Sequence, residues 1–212
     1  MQPILKKHAA LLINLTTLIL IIFIYYSGSR YQFLITNLGL ALIPFNLSLM
    51  ARRLPHKYLQ IPLALIWLIF YPNTTYMLTD FSHLSSIGTG LATPFQYYNY
   101  SILTGSIILA VIIGLISMEI IVNVLVKNVL LKTLSYTVLS FISAFAIYIG
   151  RFMRLNSSDL LLNPSRTLQV ILSANERDLL IFVFCFALLQ LFLIFIFKLA
   201  VDYATTNLNE IN

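Results

Sequence analysis

Charge is what this sequence has least of. Only 9% of its 212 residues are Asp, Glu, Lys or Arg, against about 25% in a soluble domain. Acidic side chains are scarcest: there are seven, and Asp80 is the only one in the first half of the chain. The single cysteine, Cys185, lies in an apolar run, which excludes an internal disulfide and a cysteine-based metal site. There is no Ser nucleophile elbow, no H-E-x-x-H, no Walker loop and no dinucleotide fingerprint, so those enzyme classes have no support. Internal repeats and low-complexity tracts are also missing. The net charge of +6 does not call for nucleic acid, because lysine and arginine in an apolar chain usually mark cytoplasmic loops.

Apolar residues fill the space that charge leaves. They make up 59% of the chain, and the mean hydropathy is +0.91. The expected fold is all-α: a polytopic integral membrane protein, a bundle of about six transmembrane helices forming one domain over 1–212. The spans are expected at about 9–26, 33–50, 58–78, 97–122, 134–149 and 179–201. The first is too long for a signal-peptide core and is followed by no small-residue cleavage site, so it reads as a retained helix. Thr93-Pro94 supplies an N-cap and a first-turn proline ahead of the fourth.

Orientation follows from the positive charges. Lys6, Lys7, Arg52, Arg53, Lys57, Lys127, Lys132 and Lys198 fall on one side, and Arg30, Arg151, Arg154, Arg166 and Arg177 on the other. Every lysine is on the first side, which is therefore expected to be cytoplasmic together with both termini. The two long connections, about 79–96 and 150–178, are then both outside. In the second, Asn163-Pro164 followed by Leu168, Ile171 and Leu172 predicts a short amphipathic helix on the outer surface.

The third span carries the most information. Its apolar run, 61–71, is too short to cross a hydrocarbon core that needs about 20 residues. The helix must therefore continue through Pro72 and Asn73 inside the membrane. Pro72 lacks an N–H and clashes with the carbonyl four residues back, on Leu68. Asn73, Thr74 and Thr75 stand where replacement donors are wanted. The third helix is thus expected to break at Pro72-Asn73. If an α-helix resumes, Asn73, Tyr76, Asp80 and His83 share one side of it. One reading is a polar site at the outer mouth of the bundle, with Asp80 and His83 as catalytic candidates. The other is that both residues simply end the helix at the water interface.

A second cluster runs from Gly150 through Arg151, Arg154, Asn156, Ser157, Ser158 and Asp159. Two outer arginines run against the positive-inside trend, which points to a fixed anion: Asp80, Asp159, or a phosphate or carboxylate ligand gripped by guanidinium. The structural alternative is two arginines among lipid headgroups, followed by a capped turn. Asn73, Tyr76, Arg151, Arg154, Asn156 and Asp159 are therefore the ligand-binding candidates. Glu119, with Asn123 and Lys127 at four-residue steps, is expected to snorkel or to pair with Arg52 or Arg53. Asn14, Asn37, Asn46 and Gln190 are expected to act as interhelical hydrogen-bond glue. One Asp and one His are too few for a metal site, and no cofactor is implied.

Two motifs carry a resemblance. The run W-x-x-F-x-PN-x-x-Y-x-x-TD-x-x-H, from Trp67 to His83, and GR-x-x-R-x-NS-x-D, from Gly150 to Asp159, resemble an uncharacterised family of bacterial multi-pass membrane proteins. The resemblance implies a bacterial cytoplasmic (plasma) membrane protein and supplies no reaction. It also implies an aromatic-Asp pair at the start of the fourth span, where this chain has Tyr98-Asn99. The expected function is an outward-facing pocket that binds, and possibly transforms, an anionic lipid or cell-envelope precursor. Besides the lipid bilayer, that ligand is the one partner expected. The alternatives are a small transporter or channel component, which needs a polar path to the other side, and an accessory protein without a ligand.

Overall fold

Long apolar runs interrupted by a few polar residues fold into helices that satisfy their own backbone groups, as a bilayer requires. The computed structural model describes residues 2–88, 91–154, 165, 169 and 176–210. In chain order the elements are α1 (Gln2–Tyr26), α2 (Leu34–Arg53), α3 (Lys57–Phe70), α4 (Pro72–Tyr76), a 3₁₀ segment (Met77–Ile87), α5 (Pro94–Leu125), α6 (Val129–Phe152) and α7 (Glu176–Glu210). Among the described residues, six stretches are long and apolar enough to cross a membrane: His8–Tyr26, Leu34–Arg53, Lys57–Ile87, Pro94–Leu125, Val129–Phe152 and Glu176–Thr206. α3, α4 and the 3₁₀ segment together make the third.

α5 is the central element and packs against every other helix and the 3₁₀ segment. Its buried side chains include Leu103, Ile107, Val111, Met118 and Val122. α2 also packs against α1, α3 and α4, α4 reaches across to α6, and α6 and α7 pack mainly on each other. Large apolar side chains also point outward, among them Ile19, Leu65, Ile108 and Phe192, as on a lipid-facing surface. Asn14 and Asn46 exchange amide hydrogen bonds of 2.9 and 3.3 Å between α1 and α2. The Trp67 indole donates to Ser117 at 3.1 Å. These are the interhelical polar contacts expected where burial supplies little drive.

Local chemistry explains the helix ends. Thr93 and Gln96 form a reciprocal capping box, with Pro94 in the first turn of α5. α6 starts at Val129, ahead of the span expected from 134, because the Asn128 side chain accepts from Leu131 N and caps it. Hydropathy marks membrane depth, whereas the helix runs on through polar Lys132 and Thr133.

The third span breaks where proline predicts. α3 stops at Phe70, and α4 begins at Pro72. The Asn73 amide donates to Phe70 O at 3.0 Å and the Thr74 hydroxyl to Tyr71 O at 2.8 Å. Both bonds lie at the interrupted turn, but they reach Phe70 and Tyr71 rather than the Leu68 carbonyl for which replacement donors were expected, and Thr75 turns to Ser143 and Gln190 instead. Thr74 packs so closely on α5 that a Cβ on Gly114 would sit 2.3 Å from its hydroxyl oxygen. Beyond α4 the chain does not resume an α-helix. It continues for 11 residues as 3₁₀ helix, well past the usual three or four. Thr79, Ser85 and Ser86 each donate to the carbonyl three residues back, a side-chain competition that favours the tighter winding.

Candidate functional site

The 3₁₀ winding decides which side chains meet. With three residues per turn, side chains at i and i+3 eclipse. Met77, Asp80 and His83 therefore stack on one face, a different set from the one an α-helix would align. Met77 and Asp80 point inward, and Asp80 is 1% exposed. His83 is next along the face, at the rim.

Three elements converge on Asp80. From α2, the Asn37 amide donates to Asp80 Oδ2 at 2.8 Å. From α6, Arg151 Nη1 lies 3.5 Å from Asp80 Oδ1. On its own segment, His83 Nε2 lies 3.8 Å from the same oxygen. Exposure separates their roles: the Asp80 side chain is 2% exposed, Arg151 24% and His83 40%. A sealed carboxylate thus pairs with a reachable guanidinium and lies beside a reachable imidazole. Arg151 also donates through Nη2 to Ser82 Oγ. A guanidinium has five N–H donors, so it keeps donors for a ligand.

The loop between α1 and α2 holds the histidine. Tyr31 donates its hydroxyl to His83 O at 3.1 Å, and the Phe33 ring lies 4.8 Å from the imidazole, centroid to centroid. That loop is itself clamped by α5. Buried Asn99 accepts from Ser29 Oγ at 3.2 Å and from Arg30 N at 3.0 Å, and Tyr98 donates to Ser27 O. At the position where the resemblance implies a carboxylate, this chain uses an amide to hold the loop under His83.

Asn73 turns its amide back to Phe70 O, and Tyr76 is half-buried, its carbonyl accepting from Thr79. Neither bonds to Asp80. Arg154 is exposed, lies beyond the end of α6 and has φ of 56°, a left-handed conformation uncommon outside glycine. Asn156, Asp159 and the amphipathic helix expected near 163–172 lie outside the described residues. Among the described residues, no three His, Cys, Asp or Glu side chains are grouped to hold a metal ion.

A second polar cluster occupies the opposite end of the bundle, the end that carries Lys57. The expectation that Glu119 pairs with Arg52 or Arg53 is not met. Glu119 accepts from Tyr136 and from Asn123, each at 2.6 Å, and pairs with Lys198 at 3.3 Å. The cause is packing. α6 and α7 together bring Tyr136 and Lys198 over α5, while Arg52 and Arg53 face outward, exposed. Between the two ends, the Thr75 hydroxyl lies 3.2 Å from Ser143 Oγ and 3.4 Å from Gln190 Oε1.

Asn37, Ser82, Tyr31, Phe33 and Asn99 were not singled out by sequence as site residues. Asn37 read as interhelical glue, which it is, but its partner is the site carboxylate. The available signal was its place near one end of α2, in an otherwise apolar stretch.

The chain belongs to the family described as Protein of unknown function (DUF1361). The DUF1361 match covers residues 36–193, which takes in Asn37, Asp80, His83, Glu119 and Arg151 and leaves out α1 and Lys198. No curated protein and no solved structure matches the chain.

Proposed function

We propose that this integral membrane protein binds the anionic group of a lipid or cell-envelope precursor at the Asp80 end. The site faces outward from a bacterial cytoplasmic membrane, and both termini lie inside. Arg151 grips the anion with the donors that Asp80 and Ser82 leave free, and exposed Arg154 adds charge nearby. His83, set beside Asp80, is the group that moves a proton if the ligand is transformed. The observation that carries the reading is the exposure gradient: a sealed carboxylate pairs with a guanidinium and lies beside an imidazole, and both of those remain reachable. Pre-positioned groups of this kind bind at lower ordering cost.

Arg151→Lys tests it. Lysine keeps the charge beside Asp80 but loses the planar fork that grips phosphate bidentately. Titration calorimetry with a short-chain phosphatidic acid should show affinity falling by about tenfold or more, the loss of roughly one charge-assisted hydrogen bond. Arg52→Lys, at the far end, should change nothing. Equal affinities in all three proteins would remove the reading.

A small transporter or channel component is the second reading. It is favoured by the Thr75, Ser143 and Gln190 contacts midway between the Asp80 and Glu119 clusters. Thr75→Val should then abolish flux in proteoliposomes while leaving phosphatidic acid binding intact.

A further inference from the structure

α3 and α6 both pack on α5, and at the Lys57 end a cavity of about 810 Å³ lies between them. That is within the range of ligand-sized pockets, roughly 300–1,000 Å³. Its walls are apolar: Ile61, Leu65 and Leu68 from α3, Leu125 from α5, Leu134 and Val138 from α6. Leu65, Leu134 and Val138 are all exposed, so the groove is open along the side that meets the bilayer. Its mouth carries Lys57 and Lys127 beside Asn128, and no carboxylate lines it. Among the described residues, Lys127 Nζ reaches only Asn123 O, at 3.5 Å. Glu119, close by on α5, is already engaged by Tyr136, Asn123 and Lys198.

We propose that this groove holds one anionic phospholipid of the surrounding bilayer, in the leaflet that meets the Lys57 end. Its phosphate lies at Lys57 and Lys127, and an acyl chain runs along the wall formed by Leu65, Leu134 and Val138. The pattern is that of an amphiphile: two cations at the mouth, with no acidic partner among the described residues, and hydrocarbon behind them. Each lysine near a membrane surface favours anionic over neutral lipid. A second copy of this chain fits less well. In a parallel arrangement its own Lys57, Lys127 and Lys132 would meet the same mouth, and like charges there repel. The site is separate from the one proposed around Asp80, since it lies at the other end of the bundle.

The chain supplies its own probe. Its single tryptophan, Trp67, lines the groove. Brominated acyl chains quench tryptophan on close approach, so quenching reads occupancy. Full-length protein in vesicles should be quenched by dibrominated phosphatidylglycerol with a preference of roughly tenfold over dibrominated phosphatidylcholine at equal mole fraction, from two lysines at the mouth. Lys57→Gln with Lys127→Gln should bring the two lipids to parity without shifting the emission spectrum in unbrominated phosphatidylcholine. Ala64→Phe should narrow the groove and lower quenching by both. Arg151→Lys should leave the quenching unchanged, so failure here and failure at the Asp80 site are distinguishable. Parity in the native protein means ordinary boundary lipid and overturns the proposal. So does a headgroup preference that survives the double lysine substitution. Absence of quenching by either lipid also overturns it, and a dimeric mass in that case would assign the groove to a second copy.

Discussion

Asp80 and Arg151 are a pair whose members differ in access to water, and that difference predicts an asymmetry. Replacing Asp80 by Asn leaves an acceptor for Asn37 and a guanidinium that is 24% exposed and can rehydrate. The expected cost is about 1–3 kcal/mol, that of one charge-assisted hydrogen bond. Replacing Arg151 by Leu instead strands a carboxylate that is 2% exposed, for which about 3–5 kcal/mol is expected. Thermal unfolding in detergent should therefore rank Arg151→Leu below Asp80→Asn in midpoint. The reverse order would mean that Asn37 alone satisfies the carboxylate. Sequence could find these two residues because ionised groups are rare in an apolar chain and expensive there. Asn37, Tyr31 and Asn99 gave no such signal. They are neutral, and Asn37 and Tyr31 meet their partners 43 and 52 positions away, which only the packing of helices establishes.

At the scale of elements, the six spans were legible because apolar length is dictated by bilayer thickness, and the break in the third was legible because proline cannot continue a helix undisturbed. The winding after the break was not. An α-helix and a 3₁₀ helix draw on the same residues, and the hydroxyl contacts that tip the balance become visible only in the structure. With α-helical offsets Asn73, Tyr76 and His83 shared a face with Asp80; at three residues per turn His83 stays on that face and Met77 replaces the other two. The position of α4 against α5 is a further consequence of the break, and Gly114 is the residue that permits it. A methyl group there would meet Thr74 Oγ1 at 2.3 Å and its Cβ at 2.7 Å. Thr74 cannot move freely, because its hydroxyl is bonded to Tyr71 O at 2.8 Å, where the helix is interrupted. Gly114→Ala gains helix propensity, about 1 kcal/mol, and pays for overpacking, about 1–3 kcal/mol. Net destabilisation is expected in detergent melts, and Thr74→Ala with Gly114→Ala should recover part of it, because alanine removes the hydroxyl oxygen that stands nearest. A neutral or stabilising Gly114→Ala would mean that α4 shifts away from α5 without cost.

For the molecule as a whole, the two ends differ in charge, and the difference predicts how it sits in the membrane. Lys57, Lys127, Lys132 and Lys198 all lie towards one end. At the other, Arg151 is paired with Asp80, so its charge is partly met within the protein and it weighs less in setting orientation. Lysines without such partners, like Lys57 and Lys127 at the groove mouth, should hold their end in the cytoplasm. Six spans then return the C-terminus to the same side. Two exposed positions test this in a Cys185→Ser background. Leu91, in the connection before α5, is 52% exposed, and Val129, at the start of α6, is 78% exposed. Neither substitution removes a cap, since those are supplied by Thr93 and Asn128. A membrane-impermeant maleimide should label Leu91→Cys on intact bacterial cells and should label Val129→Cys only after permeabilisation. The opposite pattern would invert the molecule. The Asp80 site would then open to the cytoplasm, and its ligand would have to be sought among cytoplasmic anions rather than envelope precursors. The groove at Lys57 would still face lipid, but in the outer leaflet.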